Sequence, residues 1–180
     1  QDLLPDDVDP TLEETAVYEP EVSTGVFSYS THAAVVAVDP ETGAVQILDY
    51  AIAEDCGTVV NPLLVDGQIA GGVAQGVGTA LFEEIRYDAG GQPQASSLAD
   101  YHWPGPTDVP AFRIAHMVTP AKGTEYGMKG MGEGGAIAPP AAVANAVRDA
   151  LLSGGIDAAV CETPLTPKRV YEAIAAAARR

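Results

Sequence analysis

The 180 residues, 47% of them hydrophobic, suffice for one or two domains with an apolar core. Nine Lys and Arg against 25 Asp and Glu give a formal net charge of -16, which repels phosphate backbones and anionic head groups, so nucleic acid is not an expected partner. Cys56 and Cys161 lack the spacing of zinc or iron-sulfur ligation and fit a reduced, cytoplasmic protein, and no apolar run approaches the roughly 20 residues of a membrane span.

Residues 1–23 are acidic and interrupted by Pro5, Pro10 and Pro20, which predicts an extended arm or linker ahead of one domain at residues 24–180. Gln1 is an unusual first residue for a translated chain and suggests a cleavage product or a cut piece. β-Branched residues cluster in 29–38 and 44–55, and Asp39-Pro40-Glu41-Thr42-Gly43 between them supplies turn chemistry, so a β-hairpin is expected. Asn61-Pro62 then precedes 63–81, where Leu63, Leu64, Ile69, Val73, Val77, Ala80 and Leu81 recur at helical intervals. That helix carries Gly67, Gly71, Gly72, Gly76 and Gly78, each costing up to about 1 kcal/mol against Ala in a helix interior. Something must pack close to it, and Val in place of Gly71 or Gly72 is expected to clash.

Short strands are expected at 82–87 and 112–118, the second after the proline-rich stretch 104–110. Residues 122–135 are rich in glycine without apolar alternation and read as a loop, followed by Pro139-Pro140 and a helix at 141–152. A last helix should start with Thr166 as N-cap and Pro167 at its first position and run toward Arg180. The class is α+β, a mixed sheet with packed helices.

Two segments combine glycines with few polar side chains: GQIAGGVAQGVG at 67–78 and GMKGMGEGG at 127–135. Such glycines allow close approach of backbone groups to a flat polar ligand, or only close helix packing. Glu133, between Gly132 and Gly134, can be a positioned general base, although by residue type alone it reads as a solvated surface charge. Lys129 has two readings, phosphate ligand or solvated side chain, with the solvated one ahead. No GK[ST] closes either run, so neither is a P-loop. His32, His102 and His116 are too scattered for a metal motif and should be structural, and Cys56 should be buried.

Taken together, Asp55-Cys56-Gly57, Asn61-Pro62, Gly67-Gln68, Gly71-Gly72, Gln75-Gly76, Glu83-Glu84 and Lys129-Gly130-Met131-Gly132-Glu133 resemble the C-terminal region of the molybdenum hydroxylase large subunits. This is the family of xanthine dehydrogenase, aldehyde oxidoreductase and aerobic carbon monoxide dehydrogenase, and the resemblance runs over about residues 27–174. It implies half of a molybdopterin-binding domain and a molybdopterin-dependent oxidoreductase that hydroxylates an aldehyde or N-heterocycle, or oxidises carbon monoxide, with water as the oxygen source. It implies a molybdenum pterin, in the cytosine dinucleotide form, with no protein metal ligand in this chain. By the same resemblance Glu133 is the base that takes a proton from the metal-bound hydroxyl, and Gln68, with Gln75 as a weaker choice, contacts the pterin. Backbone groups of Lys129, Gly130, Met131 and Gly132 approach the cofactor. The remainder of the large subunit and iron-sulfur (2Fe-2S) and flavin (FAD) subunits are the implied partners. The competing expectation is a non-catalytic assembly module of such a complex, its acidic face binding a partner.

Overall fold

The computed structural model describes residues 11, 13–19 and 25–179. Of the expected arm, residues 11 and 13–19 are exposed and without regular structure, and the rest lies outside the described residues. Strand β1 (Tyr29–Val38) and strand β2 (Val45–Asp55) form the expected antiparallel hairpin, with Tyr29 opposite Asp55 and Val38 opposite Val45. The turn between them is held by Asp39, whose carboxylate accepts from the Glu41 N–H at 2.9 Å and the Thr42 hydroxyl at 2.7 Å. This is the local hydrogen bonding that makes Asp a turn residue.

Helix α1 (Pro62–Leu81) begins where the sequence predicts. Asn61 caps it by accepting from the Leu64 N–H at 3.3 Å, and Pro62 occupies a first-turn position where no N–H is needed. The chain then returns to the sheet as β3 (Phe112–His116), parallel to β2, which gives a mixed sheet in the order β1-β2-β3. A four-residue helix α2 (Gly134–Ile137) leads into α3 (Pro139–Ser153), and α4 (Pro167–Ala177) closes the described chain. As expected, Thr166 caps α4, its hydroxyl accepting from the Arg169 N–H at 3.4 Å.

The core is built from helical and strand periodicities that converge. Ile69, Val73 and Val77 of α1, Val143, Val147 and Leu151 of α3, Tyr50 and Ile52 of β2 and Val170 of α4 are all buried. Each such side chain contributes about 1.5–3 kcal/mol on burial. Among the described residues no helix is long and apolar enough to cross a membrane.

Two expectations need correction. The strand expected at 82–87 does not form; only Tyr87 makes an isolated bridge, to Pro93. Its side chains are taken by polar tethers instead: Glu83 accepts from the Tyr101 hydroxyl at 2.6 Å, and Glu84 pairs with Arg86 and Arg169, each at 2.6 Å. Helix α3 also starts at Pro139 rather than beyond the proline pair, because both prolines fit a first turn, where the missing N–H costs nothing.

Candidate active site

The two glycine-rich segments meet. A Cβ added at Gly72 of α1 would lie 2.9 Å from the Ala136 nitrogen and the Gly135 carbonyl carbon, and one added at Gly135 would lie 2.6 Å from the Ile69 carbonyl oxygen. Helix α1 and the turn entering α2 are therefore in backbone contact, and Gly76 leaves room for the Pro139 ring. Gly71 points elsewhere, with nothing within 4 Å of an added Cβ. The expectation that Val at either position would clash thus holds for Gly72 alone. Gly72→Val should cost about 1–3 kcal/mol through overpacking. Gly71→Val should leave thermal stability of the chain nearly unchanged, while placing a side chain in the cleft described next. Equal thermal shifts for the two variants would contradict this division.

Beside this contact runs a cleft of about 360 Å³ lined by Gly67, Gln68, Gly71, Gly72, Gln75, Gly132, Glu133, Ala136 and Ile137. Four of the residues expected at the site share it: Gln68, Gln75, Gly132 and Glu133. Gln68 bridges its two walls, its Nε2 donating to the Gly132 carbonyl at 2.6 Å. Its carbonyl oxygen stays available to accept. Glu133 directly precedes α2, is exposed, and its carboxylate caps no helix N–H.

The other expected residues do not line this cleft. Met131 packs inward on the hydrophobic core. Gly130 pairs with Phe27 in a short parallel bridge. The Lys129 side chain is neither solvated nor set out as a phosphate ligand: only 8% exposed, it reaches Asp55 with Nζ 3.1 Å from Oδ1 and stands 4.6 Å from the centre of the Tyr29 ring. A buried ammonium needs such a partner, because desolvation without one costs several kcal/mol.

Asp55 is the residue that sequence reasoning quoted but left without a role. It is completely buried at the end of β2, and its Oδ1 accepts from the Gly57 N–H at 2.9 Å, the Thr119 N–H at 3.2 Å and Lys129. Burial alone would raise its carboxyl, but the Thr119, Gly57 and Lys129 donors outweigh burial and hold it well below the ordinary carboxylate range. The Asp-x-Gly order was the available signal, since a carboxylate that accepts from the N–H two residues on is an Asx turn. Gly57 completes that turn at φ +70°, with the Gly127 carbonyl oxygen 2.2 Å from where a Cβ would stand. The Lys129 N–H donates to the Cys56 carbonyl at 2.9 Å, so the glycine loop is tied to the end of β2 by backbone and side chain together.

The expected structural histidines all have partners. His32 contacts the Tyr50 hydroxyl and the Ser30 hydroxyl, each at 3.0 Å, His102 stacks on Phe82, and His116 lies 2.7 Å from Asp66. Cys56 is buried as expected, and burial pushes its thiol up. Among the described residues no group of three or more His, Cys, Asp or Glu could hold a metal ion.

This architecture is a helix and a loop, both rich in glycine, facing each other across a polar-rimmed cleft. Residues 5–110 match the molybdopterin cofactor-binding domain family, and the chain belongs to that family. It is 44% identical over 165 residues to the nicotine 6-hydroxylase large subunit of Paenarthrobacter nicotinovorans, an alignment that covers 92% of this chain and 20% of that protein. The fold superimposes on quinoline 2-oxidoreductase from Pseudomonas putida 86 with a TM-score of 0.76 at 44% identity, over 80% of this chain and 18% of that one. On reconstituted CO dehydrogenase from Oligotropha carboxidovorans the TM-score is 0.84 at 26% identity, over 99% of this chain and 22% of that one. The chain thus spans about a fifth of the length of the curated relatives it matches. The matched stretch 5–110 includes α1 but ends before the loop that carries Glu133.

A molybdenum pterin fits the residues present. Gly67, Gly71 and Gly132 have open space where a Cβ would stand, so a flat group can lie against their backbone. Gln68 and Gln75 offer amide donors and acceptors from the same wall.

Proposed function

We propose that this chain is the C-terminal catalytic portion of a molybdenum hydroxylase large subunit, with Glu133 as its general base. Residues 24–180 would form half of the pterin-binding domain, behind an arm at residues 1–23. The observation that carries the reading is that Glu133 presents an uncapped carboxylate at the rim of a cleft walled by open glycine backbone. When bound, the molybdenum pterin supplies the oxygen-transfer and electron-accepting chemistry.

This chain's residues bind and move a proton. The amides of Gln68 and Gln75 orient the heterocycle, and the backbone of Lys129, Gly130, Met131 and Gly132 sets the level of the loop against it. The Glu133 carboxylate accepts a proton at the reacting edge of the cleft and releases it to solvent, for which an exposed carboxylate is suited. The substrate would be an aldehyde, an N-heterocycle or carbon monoxide, with water as the oxygen source. The pterin would be the cytosine dinucleotide form, and 2Fe-2S and FAD subunits would take the electrons away in the cytoplasm.

The test is to purify the chain from its source with its associated chains, measure molybdenum and pterin nucleotide, and assay the three substrate classes. A complex without molybdenum or pterin would sink the reading. The chain alone is expected to hold no stoichiometric molybdenum, because its cleft offers glycine backbone and amides rather than a set of hard or soft metal ligands. Elemental analysis of the purified chain checks this, and one metal per chain would refute it.

A further inference from the structure

We propose that Glu54 is a positioning residue for Glu133, its carboxyl wedged beneath the turn that carries the candidate base. The inference deepens the reading of Glu133 given above and rests on it. Glu54 lies one residue before the Asp55 anchor, on the inward-facing set of β2 positions with Ile52. It is completely buried, and among the described residues neither of its carboxyl oxygens makes a hydrogen bond of normal geometry. A Cβ added at Gly134, the residue after Glu133, would stand 3.0 Å from Glu54 Oε1 and 3.2 Å from the Met131 sulfur. The turn therefore rests on the Glu54 carboxyl and Met131, and a change in either moves Glu133.

An orphaned buried carboxyl is too costly to keep as filler, since an apolar side chain would pack there without the penalty. The groups facing it explain its state. Burial pushes the Glu54 carboxyl up and the neighbouring Asp55 charge adds to this; the Ser30 hydroxyl on β1 and His116 on β3 oppose it. That hydroxyl is in hydrogen bond with His32, and His116 is paired with Asp66. Lys129 is committed to Asp55. Burial and the Asp55 charge thus disfavour ionisation of the Glu54 carboxyl beneath Gly134. Ionising Glu54 would set a second negative charge under the turn that holds Glu133.

The experiment compares variants of the assembled, cofactor-loaded enzyme. Glu54→Gln, which keeps shape and neutrality, should retain cofactor content and stay within about threefold of wild-type turnover at neutral pH, whereas Glu54→Ala should lose about 10- to 100-fold because the base shifts. Should Glu54→Ala fail to assemble, Glu54→Asp, which withdraws the same acid from Gly134 by one methylene, carries the same expectation. Wild-type turnover should fall as pH rises through the raised Glu54 value, and Glu54→Gln should lack that limb. An infrared band of a protonated carboxyl should be present in wild type and absent in Glu54→Gln. A crystal structure of Glu54→Ala, or of Glu54→Asp, should show Glu133 displaced. Glu54→Gln as inactive as Glu54→Ala, an unchanged pH limb, no such band in wild type, or an unmoved Glu133 would each overturn the proposal. Full turnover in Glu133→Gln would instead remove the base assignment, while the band and the displacement would still report on Glu54.

Discussion

Glu133→Gln in the assembled enzyme is expected to leave folding and molybdenum content near wild type and to lower turnover by about 10²- to 10⁴-fold, the usual contribution of a positioned general base. The fold has no reason to change. Glu133 is exposed, and its carboxylate makes no capping bond that an amide would break. What the amide lacks is the ability to accept a proton. Because the lost interaction belongs to the transition state, kcat and kcat/KM should fall together. Steady-state kinetics beside metal and pterin analysis check this, and turnover within a few fold of wild type would end the assignment.

The second large effect is expected from the buried ion pair. Lys129→Met should destabilise the chain by about 3–5 kcal/mol, because it leaves the buried Asp55 charge without its cation. Asp55→Asn combined with Lys129→Met should recover part of that loss, since the amide still accepts from Gly57 and Thr119 and no charge is left unpaired. The pH dependence has a definite sign. The folded-state carboxyl of Asp55 is held below its ordinary value, so its stabilisation is complete above about pH 4 and is lost as pH falls further toward the folded value. In the double variant this acid sensitivity should shrink. Urea unfolding at neutral and acid pH measures both effects; a single variant as stable as wild type would show that the pair does not anchor the loop.

Legibility in the sequence followed the range of the interactions. The hairpin was readable because β-branched runs and an Asp-to-Gly turn are local, and β1 falls where it was expected. Helix α1 was readable from its apolar spacing and cap, and begins one residue earlier than expected. The glycine-rich loop was readable as a loop, and the helix glycines said that something packs close to α1 but not that the loop does. Which glycine met a backbone was not readable: Gly71 and Gly72 are adjacent in sequence and about 100° apart around the helix. The fate of Lys129 was not readable either, because its partner lies 74 positions away, and nothing local distinguishes a buried lysine from a solvated one. The strand wrongly expected at 82–87 shows the reverse failure, where local composition suited a strand but Tyr101 and Arg169, contributed from later in the chain, took its glutamates.

The ties that shape the loop span long stretches of chain. Gln68 to Gly132 and Asp55 to Thr119 each join residues 64 positions apart. Loop closure over such distances must be met entropically before any of these bonds is gained, so contacts of this kind slow folding relative to the local hairpin and helices. The hairpin and α1 can therefore be present in a nascent chain before the cleft exists. A ribosome that has released residues up to β3 has made both glutamines and most of the sheet, but no wall for Gln68 to reach across to. The cleft is accordingly completed only when the loop closes on the end of β2.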